Sequence, residues 1–484
     1  MDEVGDDASL DPAAAAAAAS GSSTIRYTLE RIEIRGNDRT DDGAIRPYLP
    51  LRAGEVLDVD DPRLEAVRWR LLGTGWFDEV RLRLERGEER GHVVLVVEVS
   101  ERNTFLVQSV ALGFSEGLFD SDDADVQLEP YFGLSVAELN LFGTGVSLEA
   151  TGLVSLPQQG VRLRAGQASV GGGDFGLTGA LFFNNGREFF GNDDVVIALD
   201  ECPMRGPDEL RCEESRNAVV VYRRYGASLG TGVDLATTLR FTLDWQFELV
   251  EVVDRPDAAS HLRGTEIVPI DFGIQDGWSR VSALRLGLAH DERDNPGLPT
   301  SGRHVFLNAD VSTTLIGSSY DFVRVQAGWR EWFRLPEARH TLRLGLFVGA
   351  AVGETPFFYR FYVADLSDLI PSRVLELNLD RRAPPNLLDT SVREMRAQEL
   401  AGRVDVEYSL WLYEGEDELR GVIVYGLVGL YTLLDREDLQ VAIPGYEGFA
   451  RAPIDLTFDV GVRLDTVVGV FELGFSTLLG FVSL

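Results

Sequence analysis

From Phe105 to Leu484 the chain runs largely in a two-residue period, and that period restricts it to β-sheet. Segments of about 10 to 15 residues carry apolar side chains at alternate positions, with Gly-rich turns between them. Leu148–Val154, Leu342–Val348 and Phe458–Leu464 show it most clearly, with charges and small residues filling the other positions. Connections fall into two classes that mostly alternate. Phe142–Gly145, Gly171–Asp174, Leu335–Ala338 and Asp465–Gly469 are short; Gly186–Arg216, Glu251–Gln275, Glu354–Gln398 and Leu433–Pro453 are long. Short turns on one side and long loops on the other are what a barrel crossing a membrane has. The expected fold is mainly β, an antiparallel transmembrane barrel of about 16 strands over residues 104–484, its last strand near Leu473–Leu484. A sheet in lipid has to close, because an open edge leaves backbone groups unpaired.

The residues before Phe105 follow other rules. Residues 1–23 are acidic, then Ala-rich, then Gly/Ser, and read as a disordered tail. This stretch lacks the basic start and apolar core of a secretory leader, which an exported chain requires; either the start lies upstream, the leader has been removed, or the chain is not exported. Residues 24–103 form a small α+β domain in the order β-α-α-β-β. Leu29, Ile32 and Ile34 give the first strand, closed by Gly36-Asn37. Asp41-Asp42 opens a short helix over Gly43–Tyr48. Asp61-Pro62 opens a second whose apolar face is Leu64, Val67, Leu71 and Leu72. Phe77, Val80, Leu82 and Leu84 alternate in a strand, and Val93–Val99 is a nearly continuous apolar one.

Composition narrows the function classes. The net charge is −33 with 45 basic residues, all of them Arg, which leaves nothing to offset phosphate repulsion and excludes nucleic acid as a partner. Carboxylates in that number suit a solvated surface or one bridged by divalent ions to lipid headgroups. Cys202 and Cys212 flank a polar Pro/Gly loop and are candidates for a disulfide in an oxidising compartment. Five scattered His and no HExxH or CxxC pattern predict no metal and no cofactor. Asp120–Asp125 has calcium-like spacing without the Gly and distal Glu of an EF-hand, and reads as a solvated outer loop. No nucleophile–base pair stands out, so the chain is expected not to be an enzyme.

Several stretches resemble one family, that of BamA, TamA and the two-partner secretion transporters. Ile32–Asn37, Gly73–Val80 and Val93–Val99 are similar to three segments of its POTRA domains, the middle one to the Gly-x-Phe-x-x-Val join of helix and strand. In the barrel, Glu138–Gly145 resembles an early turn. Asp291–Gly302 is close to the family's central periplasmic turn, with Asp291, Arg293, Asp294, Asn295, Pro296, Pro299 and Gly302 at the matching positions. Val462–Gly469 resembles the turn before the penultimate strand.

The resemblance also implies a long loop folded into the lumen with an Arg-Gly-aromatic tip that meets acidic groups on the wall. Pro356–Tyr362, including Arg360, Phe361 and Tyr362, resembles the approach to it. Where the tip belongs, this chain has Leu369, Ile370, Pro371 and Ser372; Arg373 is the nearest substitute for the missing Arg. The resemblance implies an outer-membrane protein with a periplasmic POTRA domain. It would insert or translocate unfolded outer-membrane or secreted clients, which the POTRA domain captures by strand addition and the barrel passes at its seam. Periplasmic or lipoprotein accessory subunits and outer-membrane lipids are the further partners it implies. The loss of the tip motif and the single POTRA domain point instead to a pore, an anchor or an accessory barrel with no assembly role.

Overall fold

The computed structural model describes residues 26–58, 61–116, 128–155, 158–170, 175–190, 195–198, 213–215, 218–236, 238–263, 266–295, 298–336, 339–361, 398–415, 418–435, 454–466 and 469–479. The N-terminal tail, the Asp120–Asp125 loop, Cys202, Cys212, Pro296, Tyr362, residues 369–373 and Gly480–Leu484 lie outside them. Two compact units divide the chain: residues 1–104 with Leu139–Gly145, and the remainder.

In the first unit, β1 (Arg26–Arg35) leads to α1 (Asp42–Ile45), a single 3₁₀ turn at Arg46–Tyr48, β2 (Val56–Asp58), α2 (Pro62–Gly73), β3 (Phe77–Arg86) and β4 (His92–Glu101). The short helix is α-helical only to Ile45, because Pro47 lacks the N–H that the next helical bond needs. The sequence order omitted β2, whose three residues pair antiparallel with the start of β1 and are too few to show a period. The sheet order is β2-β1-β4-β3. β1 and β4 are parallel, and such a pair needs a crossover, which the helices supply. β4 lies between β1 and β3, so Val93–Val97 are all buried, which accounts for a run without alternation. Asp61 caps α2 by accepting from the Arg63 backbone N–H at 2.9 Å, with Pro62 next to it. Val67 and Leu71 of α2 are fully buried against Leu29, Phe77, Leu95 and Val97.

In the second unit the strands follow as β5 (Phe105–Glu116), β6 (Leu128–Glu138), β7 (Val146–Ser155), β8 (Gln159–Gln167), β9 (Phe175–Phe190), β10 (Val195–Ala198), β11 (Glu213–Ser215) and β12 (Ala218–Ala236). Next come β13 (Leu239–Asp254), β14 (Ala258–Arg263), β15 (Glu266–Pro269), β16 (Trp278–Asp291), β17 (Gly302–Ser312), β18 (Phe322–Arg334) and β19 (His340–Gly353). The last are β20 (Leu400–Glu414), β21 (Leu419–Leu434), β22 (Ile454–Thr466) and β23 (Gly469–Leu479). Among the described residues, fifteen of them form one sheet, from β5 at one end to β23 at the other. Every neighbouring pair in it is antiparallel. The two end strands approach within 8 Å between Cα atoms.

Two long connections are partly structured. β9 runs to Phe190, where Phe190 faces Ala218, and β13 runs to Asp254, so both strands extend into stretches the sequence read as loop. Beyond them β10, β11, β14 and β15 make a small second sheet in the order β11-β10-β14-β15. Segments this short carry no period, and only pairing with strands from the other connection defines them.

The faces of the large sheet differ as the alternation requires, and in the inverse sense to a soluble protein. On β13, Leu243, Trp245 and Leu249 are 36%, 46% and 38% exposed, whereas Gln246 and Glu248 between them are 5% and 0% exposed. On β20, Val404, Val406 and Tyr408 are exposed, and Arg403, Asp405 and Glu407 are buried. A polar face buried behind an exposed apolar one is costly in water and stable in lipid. Among the described residues no helix is long and apolar enough to cross a membrane, which bears on helices alone.

Candidate functional site

The buried face of the large sheet holds the segment Thr355–Phe361, which follows β19 at the end of the sheet from which the long connections leave. Phe357, Phe358, Tyr359 and Phe361 are all buried. The first three pack with Ala218, Val220, Tyr222, Val250, Phe272, Val281, Ala283, Tyr320 and Phe322 into one apolar cluster across that end. Phe357 meets Tyr222 edge-to-face at 5.1 Å between ring centroids, and Phe190 at 5.6 Å. Backbone bonds fix the segment at both ends. The Phe357 N–H donates to the Gly273 carbonyl at 3.2 Å, and Phe361 and Gln398 exchange N–H···O bonds at 2.8 and 2.9 Å. Gly349 of β19 leaves room for the Phe361 ring, since a Cβ there would lie 2.5 Å from it.

Below the apolar cluster the buried face is charged. Glu248 is fully buried and accepts three kinds of donor: the Arg224 guanidinium at 2.8 Å, the Tyr359 hydroxyl at 2.6 Å and the Gln246 amide. The Arg224 guanidinium also lies 4.4 Å from the Phe358 ring centroid, so one cation serves wall and segment together. Asp310 pairs with Arg285 at 3.0 Å and Arg324 at 3.5 Å, and Arg324 stacks on Phe361 at 4.6 Å. Further along, Asp405 accepts from Arg343 at 2.9 Å and Arg403 at 3.1 Å. Glu407 takes both donors of Arg463, at 2.6 and 3.2 Å, and is 3.3 Å from Arg343. Arg463 continues to Glu472 of the last described strand at 3.3 Å and lies 4.0 Å from the Tyr425 ring centroid. Charges buried this deeply are stable only when paired and hydrogen-bonded. Sequence reasoning missed these charged residues except as members of alternating strands. The signal was there in the charged, polar or small residues at every second position from Arg240 to Glu248, from Arg403 to Ser409 and from Asp455 to Asp465.

Of the predicted loop residues, the structure places Phe361 in the buried face and directs Arg360 back to the Thr355 carbonyl at 3.1 Å. Tyr362, Leu369, Ile370, Pro371, Ser372 and Arg373 lie outside the described residues.

The predicted turn is drawn together. Asp294 accepts the N–H groups of Asn295 and Thr300 at 2.9 Å and of Ser301 at 3.1 Å, as well as the Thr300 hydroxyl, with Arg334 at 3.3 Å. Burial alone would raise this carboxyl; the donors outweigh it and hold it at about 2. Asp291 accepts the Arg293 guanidinium at 2.6 Å. Gly302 takes φ 96°, and a Cβ there would lie 2.1 Å from the Glu292 carbonyl oxygen. Leu298 beside Pro299 is buried. Among the described residues no group of three or more His, Cys, Asp or Glu is placed to hold a metal ion.

An apolar outer face, a buried charged face and a separate α+β unit define a membrane β-barrel with a small domain beside it in sequence. A family profile for the Omp85 superfamily domain matches residues 140–365, and one for the POTRA type described as surface antigen variable number repeat matches residues 27–102. The chain belongs to the Omp85 superfamily, the group of BamA and TamA, and carries a POTRA domain. It is an outer-membrane protein with that domain in the periplasm, and its general role is the superfamily's, protein assembly or translocation at the outer membrane with client proteins as partners. The fold is similar to that of BamA from Haemophilus ducreyi lacking POTRA domains 1–3, at 13% identity, TM-score 0.55, and 94% of this chain against 82% of that one. It is similar to CdiB from Acinetobacter baumannii (13% identity, TM-score 0.52, 94% against 74%) and to CdiB from Escherichia coli (10%, 0.55, 94% against 73%). No curated protein sequence matches the chain.

Proposed function

We propose that the chain captures unfolded clients by strand addition to the edge of its POTRA sheet and inserts or passes them at the seam between β5 and β23. The observation that carries this reading is the state of those two strands. Each has one hydrogen-bonded neighbour in the described register, although their Cα atoms come within 8 Å. A seam with few ladder bonds costs little to open, and its free edges template a new strand. The sheet is read as a closed barrel of about sixteen strands, since an alternating sheet closes antiparallel only with an even count. In the POTRA sheet β2 and β3 are the edges. β3 is guarded by charges at Asp78, Glu79, Arg81, Arg83, Glu85 and Arg86, whereas β2 exposes Val56, which favours β2 as the docking edge. Backbone pairing is tolerant of sequence, which suits many clients, and it needs no covalent chemistry. Accessory lipoproteins would meet the periplasmic domain.

Photo-crosslinkers placed along β2, β3, β5 and β23 test this in cells making barrel proteins. Adducts are expected from β2 and the seam and not from β3. No client adduct at any of these strands sinks the reading. A conducting pore is disfavoured by the apolar cluster around Phe357 and Phe358, which occupies one end of the buried face.

A further inference from the structure

The turn that joins β6 to β7, Leu139–Gly145, is part of the first compact unit, far in sequence from the rest of it. It is held there by specific donors. The Trp76 indole N–H donates to the Leu139 carbonyl at 3.0 Å, 63 positions away. The Asn140 amide donates to the Thr40 hydroxyl at 2.8 Å, 100 positions away, and both residues are buried. The Asp41 N–H donates to the Gly143 carbonyl at 2.9 Å, and the Leu139 N–H to the Thr104 carbonyl at 3.0 Å. Asn140 also shapes the turn from within, its side-chain oxygen accepting the Gly145 N–H at 2.8 Å.

The fit is steric as well as polar. Gly143 and Gly145 both take φ 77°. A Cβ on Gly143 would lie 1.9 Å from the Arg39 carbonyl oxygen, and one on Gly145 would lie 3.0 Å from the Trp76 ring and 3.2 Å from the Ala44 methyl. Immediately before them Phe142 is the one non-Gly described residue at positive φ, at 52°, and it is 88% exposed. A strained residue without packing of its own persists only where its surroundings hold the backbone. Here they do, from both sides.

We propose that residues 39–44 and Trp76 form a binding site for an Asn-x-x-Gly-x-Gly turn, that residues 139–145 of the same chain are its occupant, and that the POTRA domain is complete only with that turn seated. The site does not depend on the client reading above. It requires an amide donor at Asn140, and no side chain at Gly143 or Gly145.

Hydrogen exchange on the full chain in nanodiscs tests it. In Asn140→Ala and Thr40→Val the amides of Asp41, Leu139 and Gly145 are expected to exchange roughly five- to tenfold faster than in the parent, the loss of about one hydrogen bond's protection. Gly143→Ala should do more. Amides of β1, β4 and the 292–301 turn should not change. Asp41 protection that survives both N140A and T40V overturns the proposal. So does an equal loss across β1 and β4, which reports general unfolding rather than a turn leaving its site. Phe142→Ala, at a residue 88% exposed, should leave the pattern as in the parent.

Discussion

The Tyr359 hydroxyl donates to the Glu248 carboxylate at 2.6 Å, joining the segment after β19 to the middle of β13 across 111 positions of sequence. Arg224 holds the same carboxylate from β12. Removing the hydroxyl leaves Glu248 paired, whereas removing the guanidinium leaves a buried carboxylate without its cation. Tyr359→Phe should cost about 1–2 kcal/mol and Arg224→Ala about 3–5 kcal/mol. Urea titration of the barrel in detergent, followed by its heat-modifiable gel shift, measures both. An equal or reversed order would show that the pair does not anchor the segment.

Glu407 sits between two cations, Arg343 at 3.3 Å and Arg463 at 2.6 Å. Glu407→Leu takes a carboxylate from both, leaving Arg343 only Asp405 and Arg463 only Glu472, whereas Arg463→Leu leaves Glu407 with Arg343. The first should be the more destabilising by about 1–2 kcal/mol, and the double variant should recover part of the loss. The same titration reads the cycle; strictly additive losses contradict a coupled pair.

Two glycines at positive φ should respond differently. Gly302 has the Glu292 carbonyl where a Cβ would go, whereas Gly54, at φ 90°, has nothing within 4 Å. Gly54→Ala carries only the backbone penalty, about 1 kcal/mol. Gly302→Ala must also displace the Glu292 strand end, and should lower the yield of heat-modifiable barrel. Normal yield from G302A together with a large loss from G54A would refute the assignment.

Asp294 gives the turn a pH dependence of definite sign. Its folded value, about 2, lies below the ordinary carboxylate value of about 3.9. The charged form therefore contributes stability in full above about pH 5, and that contribution fades as pH falls from about 4 towards 2. The stability difference between parent and Asp294→Asn should be constant near neutrality and shrink over that window. A difference that grows on acidification would contradict the donor set.

Phe142→Gly removes the strain of a left-handed non-Gly residue and should raise the stability of the first unit by about 1 kcal/mol. Thermal exchange profiles would show it at Asp41 and Gly145. A loss of protection there would mean that the aromatic side chain, not the glycines, sets the turn.

Much of this was legible before any coordinates. The two-residue period of Leu342–Val348 and Phe458–Leu464 dictates strand and assigns each residue a face, because a pleated chain alternates its side chains. Asp61-Pro62 marked the start of α2, and Asp294 with Gly302 marked a built turn, because those residues satisfy local backbone geometry that few others can. Local rules carry no information on partners more than a few residues away. The three-residue β2, the second small sheet and the extension of β9 to Phe190 exist only through pairing with distant strands. Alternation put Glu248 and Arg224 on the buried face; the register between β12 and β13 made them a pair. Likewise Phe142–Gly145 could be read as a short turn from its glycines. That it seats on Thr40 and Trp76 was decided by tertiary structure, where the space a missing Cβ leaves is filled by residues up to 100 positions away.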